Sequence, residues 1–268
     1  MPIFAPFSFT RPIPKPVIPW SPADFTNVQY WWRADLGVTT GTGGVSNWVD
    51  QINSFDMKQT SSGNRPAQST NATYLNSKEV ISFNGTSDFL TTQATPASRG
   101  TSAFRVLMVY SYSSTSPGPG VVAGTMMVVS GPSNSGRFWL DGLNNKQRIF
   151  SDGLATSGNL GTYFQDPIVV GAQAFFVKYE PAGNVFYGLN TLTETSQGLT
   201  GLSNNDWPAG STVGAGALVT SSTNNAIFLS RYLNYDLAEV VYVYDGVTSD
   251  EMLEWKNYVN TRYGTIIS

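Results

Sequence analysis

The 268-residue sequence contains no cysteine and no histidine. Without cysteine, the chain can form neither disulfides nor thiolate metal sites. Without histidine, it lacks the most frequent metal ligand and the most frequent general base of enzymes, so a Ser-His-Asp hydrolase is excluded. These two absences together remove a large part of enzyme chemistry.

Charge is also scarce, since charged residues make up 12% of the chain and the net charge is −3. A nucleic-acid partner requires a concentrated basic face, and the sequence has no cluster of Lys and Arg. No segment approaches the roughly 20 apolar residues of a membrane span, and prolines interrupt the apolar N-terminus. We therefore expect no nucleic-acid partner, no secretory signal and no membrane insertion.

The first 22 residues hold seven of the fifteen prolines of the chain, a spacing that excludes a helix or a central strand. We predict an extended arm over residues 1–22, followed by one domain over residues 23–268. The apolar side chains of the arm indicate burial, either against its own domain or against a partner protein. The candidate anchoring residues are Phe4, Phe7, Phe9, Ile13, Ile18 and Trp20.

The C-terminal segment predicts a buried strand that leads into a short helix. Residues 237–244 are rich in β-branched and aromatic side chains, which suits a strand packed in a sheet. Thr248 and Glu251 have the spacing of a capping box, so the helix should begin at Ser249. Gly264 stands where a left-handed C-terminal cap is expected. The apolar stripe of this helix is formed by Met252, Trp255 and Val259, with Leu253 and Tyr258 flanking them.

Further segments rich in apolar residues alternate with Gly, Pro and Asn turns at the spacing of a β-sandwich. We predict strands over residues 104–112, 120–130, 137–141, 147–151, 168–178, 185–190 and 226–230.

Four segments of the sequence resemble a known superfamily. They are the Trp-Trp-Arg-Ala-Asp of residues 31–35, the Val-x-x-Trp-x-Asp of residues 45–50, the Phe-Asn-Gly-x-x-Asp-x-Leu of residues 83–90, and the Ala-Glu-Val strand with its Thr-Ser-Asp-Glu helix start within residues 238–251. This set is similar to the concanavalin A-like lectin/glucanase superfamily, especially to laminin-G-like domains of bacterial and phage proteins. In the second segment, Gln-Ile-Asn replaces the usual Ser-Gly after the final acid.

The resemblance implies an all-β, concanavalin A-like jelly roll of two antiparallel sheets with one short C-terminal helix. It also implies a hairpin turn at Asn84-Gly85, with Asp88 accepting backbone hydrogen bonds. An immunoglobulin-like sandwich is the alternative fold, but it would not account for the closing strand and helix.

Retaining glucanases of this superfamily carry Glu-x-Asp-x-x-Glu on one strand, which places two carboxyl groups across the scissile bond. None of the glutamates in this chain begins that motif. We therefore expect a non-catalytic protein without a cofactor, in which Glu239 has a structural role.

Two turns are candidates for glycan binding, because a sugar needs an aromatic ring for its apolar face and amides or carboxylates for its hydroxyls. The first turn contains Asn204, Asn205, Asp206 and Trp207. The second contains Trp139, Asp141, Asn144 and Asn145. The same residue types are also common in turns that bind nothing. No Asp-x-Asp-x-Asp run indicates calcium, so no metal is assigned.

The phage relatives implied by the resemblance predict a virion structural protein, either a capsid decoration protein or a tail appendage. It would be assembled in the host cytoplasm and held by its arm to the major capsid or tail protein, displaying a lectin-like domain for adhesion to a glycan or a host surface. Homo-oligomerisation stays open. The alternative is a secreted or cell-surface carbohydrate-binding module.

Overall fold

The structure is a computed structural model that describes residues 19–98, 100, 102–115, 124–130, 137–143, 146–152, 161–162, 166–180, 184–198, 212–219 and 227–268. The described strands, in chain order, are β1 (Val28–Arg33), β2 (Val38–Gly41), β3 (Gly44–Trp48), β4 (Met57–Lys58), β5 (Ala67–Asn71), β6 (Lys78–Asn84), β7 (Leu90–Thr92), β8 (Phe104–Tyr112), β9 (Gly124–Ser130), β10 (Arg137–Leu143), β11 (Lys146–Asp152), β12 (Gly161–Thr162), β13 (Asp166–Pro167), β14 (Gly171–Tyr179), β15 (Asn184–Leu189), β16 (Thr195–Gly198), β17 (Thr212–Ala215), β18 (Ala217–Val219), β19 (Ile227–Tyr232) and β20 (Asn234–Tyr244). The helix α1 spans Ser249–Tyr263, and two 3₁₀ turns span Pro22–Asp24 and Ser62–Asn64.

The strands form two large antiparallel sheets that pack face to face as a jelly-roll sandwich. The first sheet has the order β16-β15-β14-β8-β20-β6-β5, with β1 also paired to β20. The second sheet has the order β12-β11-β10-β9-β17-β7-β4-β3-β2, with β13 paired to β11. Strands β18 and β19 form a separate pair. The fold class predicted from the sequence is confirmed.

Strand β20 is the centre of the first sheet and pairs with three other strands. One of its edges runs along β8 from Asp236 to Tyr244. Its other edge is shared by β6, which pairs with residues 234–237, and by β1, which pairs with residues 239–243. The ladder with β8 is irregular between Leu237 and Glu239. One bulged strand therefore holds together the N-terminal, middle and C-terminal parts of the chain.

Apolar side chains cover both faces of β20, which explains the nearly continuous apolar run in its sequence. Leu237, Val240 and Tyr242 belong to the core between the two sheets. Val241 and Val243 belong to a second core, between the first sheet and α1. The helix contributes its predicted stripe to this second core, as Met252, Trp255 and Val259 are all buried there.

Helix α1 begins at the predicted residue with the predicted capping box. The Glu251 amide donates to Thr248 Oγ1 at 3.2 Å, and the Thr248 amide donates to Glu251 Oε2 at 2.8 Å. The other oxygen of Glu251 accepts from the Thr26 amide at 2.8 Å, so the same carboxylate ties the helix start to the chain before β1. Gly264 has a φ of 93°, but its ψ of 165° lies outside the predicted left-handed helical region.

Most predicted strands are observed, with differences at their ends. The bounds of β8 agree with residues 104–112, whereas β14 begins at Gly171 rather than at residue 168. Val169 and Val170 are exposed and lie in the connection between β13 and β14, before the ladder with β8 begins.

The hairpin predicted at Asn84-Gly85 is wrong. Asn84 ends β6 in the first sheet and Leu90 begins β7 in the second, so the turn crosses between the sheets. Its local chemistry is as predicted, because Asp88 Oδ2 accepts from the Asn84 amide at 3.1 Å and Gly85 has a φ of 71°.

We predict that Trp255→Ala lowers the free energy of unfolding by about 3–5 kcal/mol, because it removes a large buried side chain between α1 and the first sheet. Leu253→Ala is the matched control on the same helix, since Leu253 is 49% exposed, and it should cost less than about 1 kcal/mol. Urea unfolding followed by tryptophan fluorescence measures both. Similar losses for the two variants would contradict the docking of α1 by this stripe.

Candidate ligand-binding cleft

The interface between β20 and α1 contains a buried carboxylate, that of Glu239, which is 1% exposed. Trp31 Nε1, from β1, donates to Glu239 Oε1 at 2.5 Å. From the last turns of α1, the Tyr263 hydroxyl donates to Oε2 at 2.6 Å and the Tyr258 hydroxyl donates to Oε1 at 3.0 Å. Burial raises the pKa of Glu239, while these donors act in the opposite direction. The arrangement agrees with the structural role expected for this residue.

A second layer of charged groups surrounds this carboxylate on the solvent side. Asp35 accepts from Arg33 Nε at 2.6 Å and from Arg262 Nη2 at 2.5 Å. Burial opposes ionisation of Asp35, but the two guanidinium groups outweigh it and lower the pKa of this carboxyl. Arg33 Nη1 also donates to the Tyr258 hydroxyl at 3.3 Å. The Tyr258 hydroxyl therefore donates to a buried carboxylate and accepts from a guanidinium.

Tyr258 also lines an open cleft of about 470 Å³. The Trp20 ring packs edge-on against Tyr258, with ring centroids 6.0 Å apart, and against Phe25, with centroids 5.0 Å apart. Residues 19–22, predicted as the end of the arm, thus lie against the domain, and Ser21 caps the 3₁₀ turn that follows. The cleft is lined by Pro19, Trp20, Ser21, Arg33, Lys78, Glu254, Asn257, Tyr258, Thr261 and Arg262.

The spacing of the helix explains why its polar residues gather in this cleft. Asn257 and Tyr258 lie three and four residues after Glu254, and Thr261 lies four and three residues after them, so all four share one face of α1. That face is adjacent to the buried stripe and looks toward Lys78, at the start of β6.

Several polar groups of the cleft are not used inside the protein. Four side chains that line the cleft form no hydrogen bond or ion pair with any described residue: those of Lys78, Glu254, Asn257 and Thr261. An ammonium, a carboxylate, an amide and a hydroxyl beside two aromatic rings are able to bind a polar ring-shaped molecule. The rings cover its apolar face and the other groups bind its hydroxyls.

Of the glycan-binding residues predicted from the sequence, the structure describes only the backbones of Trp139 and Asp141, and neither residue lines the cleft. Trp139 and Asp141 are in β10, where their backbones pair with β9 and β11 of the second sheet, whereas the cleft lies on the helix side of the first sheet. Their side chains, together with Asn144, Asn145, Asn204, Asn205, Asp206 and Trp207, are outside the description. The arm residues Phe4, Phe7, Phe9, Ile13 and Ile18 are outside it as well, and only Trp20 is placed.

Sequence reasoning missed Lys78, Asn257 and Thr261. In the sequence, the polar side of α1 is indistinguishable from the solvated side that every amphipathic surface helix has. One signal was present in the sequence, namely the aromatic Tyr258 next to that polar side and the aromatic Trp20 in a segment too apolar for a solvated linker.

No group of three or more possible metal ligands from His, Cys, Asp and Glu occurs in the described part of the chain. Among the same residues, no helix is long and apolar enough to cross a membrane.

No known sequence family and no curated protein matches this chain. Solved structures do share its fold. Domain 4 of an extracellular arabinanase from Geobacillus stearothermophilus, in complex with arabinotriose, has a TM-score of 0.53 at 11% identity, covering 85% of this chain and 97% of that domain. The binding domain of Paraclostridial Mosquitocidal Protein 1 has a TM-score of 0.56 at 8% identity, covering 87% of this chain and 52% of that chain.

A sialidase from Trypanosoma rangeli has a TM-score of 0.55 at 11% identity, covering 93% of this chain but only 36% of the sialidase. This chain therefore spans about half of the mosquitocidal binding domain and about a third of the sialidase. Identities this low establish the fold alone. That fold is a jelly-roll sandwich of two antiparallel sheets, as the sequence motifs imply.

We predict that Glu239→Ala lowers the free energy of unfolding by about 3 kcal/mol or more, because it leaves buried donors of Trp31 and Tyr263 without an acceptor. Glu79→Ala is the control: Glu79 is exposed on β6 and accepts one hydrogen bond from Gln68, so its loss should stay below about 1 kcal/mol. Chemical unfolding at neutral pH compares the two. Equal stability of both variants would contradict the structural role of Glu239.

Proposed function

We propose that this chain is a non-catalytic carbohydrate-binding module whose ligand lies in the cleft beside α1. The observation that carries the proposal is the pairing of the Trp20 and Tyr258 rings with unused polar groups of Asn257, Thr261 and Lys78. Sugars present an apolar face and a rim of hydroxyls, and this combination complements both. Because residues from both ends of the chain build it, the cleft exists only in the folded domain.

The structural neighbours support a binding role. The arabinanase domain, which this chain covers almost completely, is described in complex with arabinotriose, and the mosquitocidal protein contributes a binding domain. A fold used for sugar binding in one protein makes the same use reasonable in another, although the fold does not specify the site. The cleft supplies the site in this proposal.

The positions and partners of the glutamate side chains support the proposal that the protein is not catalytic. Hydrolysis of a glycosidic bond by the usual route needs two carboxyl groups on opposite sides of that bond. Glu254 is the one carboxylate among the described residues that line the cleft. Other glutamates are committed to structure: Glu239 to its buried donors, Glu251 to the capping box, and Glu180 and Glu194 to ion pairs with Lys178 and Arg105.

We further propose that the module is displayed on a bacteriophage particle and held there by the arm, residues 1–22, on the major capsid or tail protein. The support comes from the arm sequence, since prolines restrict the unbound chain and so reduce the entropy lost on docking. The alternative is that the chain is a secreted or cell-surface carbohydrate-binding module.

We predict that Asn257→Ala weakens glycan binding by about fivefold or more, which corresponds to one lost hydrogen bond, and that Trp20→Ala weakens it by at least about tenfold. A glycan array followed by isothermal titration with the best oligosaccharide measures both. Asn234→Ala is the matched control, because Asn234 is exposed and pairs with Asn84 at the far end of β6, about 20 Å from Lys78. Loss of binding on Trp207→Ala, with both cleft variants unaffected, would move the site to the loop predicted from the sequence.

The virion location predicts that mass spectrometry detects the protein in purified particles. Replacing Phe4, Phe7 and Phe9 with serine should reduce its incorporation by at least about tenfold, because three apolar anchors are lost. In the matched control variant, serine replaces three exposed apolar residues outside the arm, namely Val169, Val170 and Leu253. This variant should be incorporated into particles as well as the unchanged protein. Absence of the intact protein from particles would refute the location, and equal incorporation of all variants would refute the anchoring by the arm.

A further inference from the structure

The cleft beside α1 is rich in positive charge for a protein of this composition. Arg33, Arg262 and Lys78 line it, although the whole chain has only 15 Lys and Arg and a net charge of −3. Two carboxylates offset them. Asp35 is shared between the two guanidinium groups, and Glu254 stands on the exposed side of the helix. Among the residues that line the cleft itself, three are cationic and one is a carboxylate.

Lys78 is the unusual member of this group. The two other cations of the cleft, Arg33 and Arg262, both have a carboxylate partner in Asp35. Lys78 is also half-buried, yet it forms no ion pair with any described residue. A partly desolvated ammonium without a partner is a ready site for an anion, because part of its desolvation cost is already met on folding.

The position of Lys78 is fixed by the backbone. Its amide donates to the Leu75 carbonyl at 2.9 Å as β6 begins, and the strand continues in register with β5. The ammonium is therefore presented to the cleft from a sheet, while Asn257 and Thr261 face it from the helix. A ligand that contacts both walls would have its hydroxyls on the helix side and its negative group on the sheet side.

We propose that the ligand of this cleft is an anionic glycan, one that carries a carboxylate or a sulfate, with Lys78 as the principal contact of the negative group and Glu254 as a repulsive neighbour. This inference rests on the proposed function of the cleft in sugar binding. Glu254 opposes the affinity for such a ligand but also disfavours binding of anions that lack the matching sugar, so it contributes to specificity.

The test is isothermal titration of the full-length protein with three probes of similar length: an oligogalacturonate, a sulfated dextran oligosaccharide and a neutral dextran oligosaccharide. We expect at least one anionic probe to bind more tightly than the neutral one. Lys78→Gln should weaken binding of the preferred anionic probe by about fivefold to tenfold, and Glu254→Gln should strengthen it by about twofold to fivefold. Raising the salt concentration from about 50 mM to about 500 mM should weaken the same binding.

Lys58→Gln is the matched control for charge, because Lys58 is an exposed lysine on β4 of the second sheet. It should leave the affinity for every probe unchanged. Asn257→Ala should weaken the anionic and neutral probes by the same factor, since the amide contacts sugar hydroxyls.

The outcomes separate the two proposals. Equal binding of neutral and anionic probes, with Lys78→Gln and Glu254→Gln without effect and Asn257→Ala weakening both, overturns the anionic ligand and leaves sugar binding intact. Binding of the sulfated probe that inorganic sulfate displaces fully, with Asn257→Ala without effect, overturns it too, because the cleft would then bind the ion alone. No binding of any probe or of any glycan on an array overturns both proposals.

Discussion

The buried carboxylate of Glu239 is the interaction on which the arrangement of this domain depends. It joins β1, through Trp31, to the central strand β20 and to the end of α1, through Tyr258 and Tyr263. Trp31 lies 208 residues before Glu239 in the sequence. A buried charge is costly unless its hydrogen bonds are satisfied, so this contact specifies one position of the helix on the sheet more strictly than the apolar stripe alone. Tyr258 links this hydrogen-bond network to the cleft beside α1, because its hydroxyl donates to Glu239 while its ring packs against Trp20 in the cleft.

The cleft is consequently a product of the helix position. It is lined by Trp20, near the start of the described chain, by Lys78 of β6 and by a polar face of α1. The Tyr258 hydroxyl is held by Arg33 and Glu239, and these hydrogen bonds leave the side chains of Lys78, Asn257 and Thr261 available to a ligand. The chain reaches the cleft at Pro19, which belongs to the last residues of the predicted arm. A ligand bound there would lie beside the point where the arm joins the domain, so in the proposed virion the anchoring and the binding functions would be neighbours.

Local chemistry in the sequence predicted the long and strongly patterned elements. The capping box of α1, the aromatic and β-branched run of β20 and the bounds of β8 each follow from residues adjacent in sequence. The turn at Asn84-Gly85 shows the limit of local sequence patterns. Its hydrogen bonds to Asp88 were predicted, but the sheet that the next strand joins depends on pairing partners that are distant in the chain. The cleft was not predicted for the same reason: Trp20, Lys78 and Thr261 are more than fifty residues apart, and each alone is an ordinary surface residue.

The central claim is that the cleft beside α1 holds a sugar. A crystal structure of the protein with a bound oligosaccharide, chosen as the best ligand on a glycan array, tests it most directly. The account predicts a sugar ring packed against Trp20 and Tyr258, with hydroxyls within hydrogen-bond distance of Asn257 and Thr261, about 3 Å. A sugar seated on residues 139–145 or 204–207, with the cleft empty, would contradict it.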